Sequence, residues 1–171
     1  LTYMLEELNM SKTIGGLIAS WNFFGYLCGS LLSILSIFKK RVKLVFFISI
    51  VVSLITTLLM GLHDNITFFI IVRFLSGLSS AFVLIFGTSL ILPSIQAFGK
   101  KSLSTAHFMG VGFGIVLSSI LVSILGILGY GWNELWIGVT ILSIILAVPI
   151  FVFTPDESII STTNITSNLQ N

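Results

Sequence analysis

Apolar residues do not alternate with polar ones along this chain; they predominate over stretches of about twenty positions, as in "LVFFISIVVSLITTLLMGL", Leu44 to Leu62. A helix needs about 20 mostly apolar residues to cross a bilayer, and five stretches qualify, at about 13–38, 42–62, 66–92, 102–128 and 132–153. Transmembrane β-strands would be about ten residues long and would alternate strictly, so these runs predict helices. Short polar breaks such as "KKRV" and "HDN" make consecutive helices antiparallel neighbours in an all-α, polytopic membrane bundle over residues 1–153. Beyond Phe153 the text changes to "TPDESIISTTNITSNLQN", and residues 154–171 read as a polar cytoplasmic linker or tail.

Composition agrees with the pattern: 56% of the residues are hydrophobic and only 8% are charged, against about one quarter charged in an ordinary soluble domain. The net charge of +2 does not indicate nucleic acid, because the cations sit between spans. Lys39, Lys40, Arg41 and Lys43 follow the first span, and Lys100 and Lys101 follow the third. The positive-inside rule puts both loops in the cytoplasm and the start of the chain outside. An acidic start, "LTYMLEELNMSK", has no export signal of its own, which leads us to expect a preceding helix. The expected location is a cytoplasmic (inner) membrane. Cys28 is the one cysteine, so no intramolecular disulfide forms. Two Asn-Ile-Thr triplets, at Asn65 and Asn164, read as chance matches to the glycosylation signal.

Small and polar residues divide the spans into two kinds. The second and fifth are bulky all round and suited to lipid. In the first, Asn22, Gly25, Tyr26, Gly29, Ser33 and Ser36 share a helical face; in the fourth, His107, Gly110, Gly114 and Ser118 do so. In the third, Arg73, Ser76, Gly77, Ser80 and Ala81 lie together, and Phe74, Leu75, Leu78, Phe82, Ile85 and Phe86 crowd the other side. Small residues let membrane helices approach closely, which predicts that these three spans line the interior.

Arg73 is the eighth residue of its span, about 10 Å below the outer end. A lone arginine in a bilayer costs roughly 2.5–3.5 kcal/mol on insertion scales, so it requires a polar partner or a wet cavity. It is a candidate cavity cation, with Trp21, Asn22 and Tyr26 as further candidate contacts for solute; the plainer reading makes Arg73 a structural residue that bonds backbone carbonyls or snorkels outward. His107 is a possible titrating group or simply an interfacial histidine. Trp132 and Trp136 are expected as interface anchors, and Glu134 as the residue favouring its helix start. No acidic residue lies well inside any span, no metal-spaced cluster or nucleophile–base constellation occurs, and no cofactor or enzymatic activity is expected.

The spacing of Arg73, Gly77 and Ala81, an R-x-x-x-G-x-x-x-A pattern, resembles the fourth helix of the major facilitator superfamily, and "GVGFG", Gly110 to Gly114, resembles the glycine-rich motif of its fifth. "WNFFGYLCGSLL", "RFLSGLSSAFVLIFG" and "HFMGVGFGIVLSS" are similar to the YbfB/YjiJ-type branch. The resemblance covers nearly the whole chain and implies helices two to six of the amino-terminal six-helix half. It lacks two usual features: "LSILSIFKKRVKL" keeps only the basic part of the loop between helices two and three, with no aspartate, and the glycine-rich motif has no proline. What it implies is a secondary active transporter fragment that moves a small solute by alternating access. Its partners would be the bilayer, an unidentified small molecule, and a missing first helix and carboxy-terminal bundle of the same transporter. A non-transporting membrane scaffold or degraded remnant is the alternative.

Overall fold

The structure, a computed structural model, describes residues 2–97 and 102–153. Seven helices account for nearly all of them: α1 (Thr2–Glu7), α2 (Lys12–Leu32), α3 (Ser36–Lys39), α4 (Val42–Leu59), α5 (Ile66–Ala97), α6 (Ser102–Ile127) and α7 (Trp132–Phe153). Four of them, α4, α5, α6 and α7, are long and apolar enough to cross a membrane. The run expected as one span over about 13–38 is divided: α2 stops at Leu32, where the Ser33 N–H donates to the Gly29 carbonyl, and the short α3 follows. At 21 residues α2 is long enough to span. Its Lys12, Ser20, Asn22 and four glycines dilute its apolar character below that of the other four. Residues 98–101 and 154–171, which carry the expectations for Lys100, Lys101 and the cytoplasmic tail, lie outside the described residues.

Local chemistry sets the turns. Asn9 adopts a left-handed φ of 51° after α1, and the Met10 N–H returns to the Leu5 carbonyl at 2.9 Å, closing the helix end. Ser11 then caps α2 by accepting from the Ile14 N–H. Gly129 does for α6 what Asn9 does for α1, with φ at 80° and the Tyr130 N–H on the Leu125 carbonyl at 3.1 Å. Asn65 caps α5, its Oδ1 accepting from the N–H groups of Thr67 and Phe68 at 2.9 and 3.3 Å. The Asn65-Ile66-Thr67 triplet therefore has a structural reason to be there.

α2 packs along α5, α5 along α4, α4 along α7 and α7 along α6, while α5 and α6 touch only locally. Two apolar cores stitch the layers. Met4, Ile18, Met60, Phe69, Val72 and Trp132 close the end where α2, α5 and α7 begin. Phe46, Ile50, Phe82, Phe86, Leu90 and Ala147 fill the other. Outward faces stay apolar, with Phe23 at 73% and Met109 at 68% exposed, which suits hydrocarbon and not water. Hydroxyls on the spans bond back into their own helices, as Ser49 does to Val45 and Thr140 to Trp136, so little polar capacity is left over.

Candidate functional site

Close approach of α2 and α5 comes from glycines on both. A Cβ placed on Gly77 would run into the Asn22 carbonyl, and one on Gly25 into the Phe74 carbonyl. At Gly29 the neighbours are the Leu78 carbonyl at 2.7 Å and the Ala81 Cβ at 3.0 Å. Gly25, Gly29, Gly77 and Ala81 therefore sit at one seam, with the backbones of Asn22 and Tyr26 against Gly77. Phe74 and Leu78, expected on the opposite face of α5, belong to this seam as well. It follows that Arg73 lies on the flank of the seam, sharing a helical face with Ser76, Ser80 and Thr88.

Across that flank stands α7. The guanidinium carbon of Arg73 lies over the Trp136 indole, 4.7 Å from its centroid, inside the range of a cation–π attraction worth roughly 0.5–2 kcal/mol. Arg73 Nε is buried and has no hydrogen-bond partner among the described residues. One turn earlier on α7, the Trp132 N–H donates to Glu7 Oε1 at 3.0 Å, so a carboxylate from α1 caps the start of α7. Trp132 is 7% exposed, with its ring edge-on to Phe69. Trp132 thus fills the core and is not an exposed interface anchor, while Trp136, partly buried, faces the arginine. Glu134 does stand in the first turn of α7.

The other candidates are dispersed. Trp21 meets Phe24 and Phe74 edge-on, at 5.6 and 6.2 Å between centroids, in an aromatic group on the α2 side of the seam. Asn22 and Tyr26 are partly buried and contribute backbone to the seam. His107 Nε2 and Thr88 Oγ1 are hydrogen-bonded at 3.1 Å, a polar contact between α6 and α5. Nothing lies within 4 Å of a Cβ built on Gly110, Gly112 or Gly114, so the glycine face of α6 is open. Cys28 is a free thiol. No group of three or more metal-binding side chains occurs among the described residues.

Sequence reasoning missed the contact of Trp136 with Arg73 and that of Glu7 with α7. A depth argument would have found the first: Arg73 and Trp136 enter from the same side, about 10 and 6 Å below their helix starts. Glu7 carried no local signal, since its contact is 125 residues away.

Among the described residues the fold is all-helical, with four helices long and apolar enough to cross a membrane and a cation held against a tryptophan between two of them, which defines a polytopic helical membrane protein. Residues 1–170 match the family described as the uncharacterised MFS-type transporter YbfB, and the chain belongs to that family. No curated protein and no solved structure matches it.

Proposed function

We propose that the chain forms most of the amino-terminal half of a secondary active transporter, which carries a small solute through a cytoplasmic membrane by alternating access of two bundles. Arg73 carries this reading: a cation placed on the inner flank of α5, with a buried Nε that no described residue engages. A purely structural arginine would be expected to spend its donors on neighbouring carbonyls. The basic segment Lys39 to Lys43 faces the cytoplasm under the positive-inside rule, which puts α1 and the start of α7 outside.

A preceding helix, which the resemblance to the superfamily implies, would complete the half-bundle. From Glu7 at the start of α7, α1 runs back to Tyr3 and Met4, which border a cavity of about 80 Å³ with Val122, Trp136 and Val139. The second bundle of the transporter would face this one across the solute pathway.

The test is to express the complete reading frame containing this chain in host cells and compare their solute content by untargeted mass spectrometry. The native protein should shift the level of at least one solute, and Arg73→Ala should abolish that shift while the amount of folded protein in the membrane stays the same. Identical profiles for the two would sink the proposal.

A further inference from the structure

We propose that the elbow between α2 and α4, Ser33 to Arg41, is a binding surface for anionic phospholipid headgroups of the membrane that the chain spans. The proposal goes beyond transport and holds whatever solute is carried. Apolar pattern alone extends the first span to about residue 38, but α2 ends at Leu32 and the chain turns through α3 before α4 begins. The turn is held by its own backbone: the N–H groups of Ile34, Leu35, Phe38 and Arg41 each return to the carbonyl three residues back, at 3.0 to 3.3 Å. It is also pinned from inside. Phe38 is partly buried, its ring tilted against Phe82 of α5 at 5.1 Å between centroids, beside the core that Phe46 and Phe86 share.

Around that pin the segment is exposed and has two chemistries. Ile34, Leu35 and Ile37 are open, Ile34 at 64% and Ile37 at 69%, and Lys39, Lys40 and Arg41 follow directly, all exposed. Neither water nor hydrocarbon alone suits such a pair. Apolar side chains with cations beside them fit the boundary where acyl chains meet headgroups, the aliphatic stems following the apolar side and the charged ends reaching the phosphates. The described carboxylates, Glu6, Glu7, Asp64 and Glu134, all stand at the side where α5 and α7 begin, so none of them neutralises this charge. A headgroup with a net negative charge supplies what is missing; a zwitterionic one brings its own ammonium along. Each basic residue held at an anionic surface strengthens binding about fivefold. α2 packs on α5 through Gly25 and Gly29, and Phe38 touches α5 through Phe82, so a lipid held at the elbow braces the end of the seam beyond Gly29.

The experiment uses the complete protein in nanodiscs, either of phosphatidylcholine alone or of equal parts phosphatidylcholine and phosphatidylglycerol, and follows its thermal unfolding. Native mass spectrometry then counts the lipids that the protein retains out of detergent. The mixed bilayer should raise the unfolding midpoint, and phosphatidylglycerol should be retained in preference to phosphatidylcholine. Lys39→Gln, Lys40→Gln and Arg41→Gln made together should weaken that retention at least about tenfold and remove the difference in midpoint. Ile37→Ser, which leaves every charge in place, should weaken it about two- to fivefold. Lys100→Gln with Lys101→Gln, in the basic loop between α5 and α6, is the control and should leave most of the retention intact. An equal loss in the control would mean a response to positive charge in general and would overturn the elbow as a site, as would equal retention of the two lipids by the native protein. Should phosphatidylglycerol raise the midpoint only after Asp156→Asn and Glu157→Gln, the chain's own acidic residues occupy the cations, and the lipid is overturned as the occupant. The two readings fail separately. Absence of any solute change on expression removes the transporter and leaves the lipid surface; absence of lipid preference removes the surface and leaves the transporter.

Discussion

The seam between α2 and α5 and the face of α6 are made of the same material, glycines at helical spacing among large apolar residues, and they meet opposite fates. Gly25 and Gly77 bring two backbones so close that a methyl group on either would strike a carbonyl, whereas Gly110, Gly112 and Gly114 have open space around them. Small residues permit an approach but do not choose a partner, because a missing side chain carries no information about what fills the gap. The choice falls to geometry. α2 and α5 offer reciprocal gaps in register, Gly25 to Phe74 and Gly77 to Asn22. α6 meets α5 only locally, and no residue of Thr105–Ile127 is fully buried.

The comparison breaks most directly at the seam. Gly77→Ala should destabilise the chain by about 1–3 kcal/mol, the range for overpacking, despite the better helix propensity of alanine. Unfolding in mixed micelles reads this, and a neutral result would mean that the backbones are farther apart than described. Between the two regions stands the Arg73–Trp136 contact, which ties α5 to α7. A double-mutant cycle with Arg73→Gln and Trp136→Leu should give a coupling of about 0.5–2 kcal/mol. Additive effects would show the contact to be energetically empty.

Glu7→Ala removes the acceptor for the Trp132 N–H and should cost about 0.5–1.5 kcal/mol, with Glu7→Gln sparing most of that loss because its amide oxygen still accepts. Equal losses for the two would point to packing of α1 and away from the hydrogen bond. The smallest effect belongs to α6. Gly112→Ala should change stability by less than about 0.5 kcal/mol in this chain. In the complete protein the same change should be more costly if another helix covers that face, so measuring both contexts sharpens the contrast.

The membrane class was legible because it depends on sums over long windows: five apolar runs, few charges, and short polar breaks. Family membership was legible too, since Arg73, Gly77 and Ala81 keep their spacing whatever packs around them. The break after Leu32 was not, because Ser33, Ile34 and Leu35 read as a continuation of an apolar helix and nothing in them signals a stop. Trp132 was misjudged, and the arginine contact of Trp136 missed, for a similar reason. A tryptophan near a helix start is equally suited to a membrane interface or a core, and only the positions of Phe69 and Arg73 on α5 decide between them.

By itself, then, the sequence determined what is local or additive: helical spans, their antiparallel order, and which residues share a helical face. The tertiary structure alone decided which faces meet. It closed α2 on α5, left α6 open, laid Trp136 under Arg73 and brought Glu7 to the start of α7. Each of these joins residues on different helices, and their relative rotation and depth come from packing many side chains at once, which no single stretch of sequence encodes.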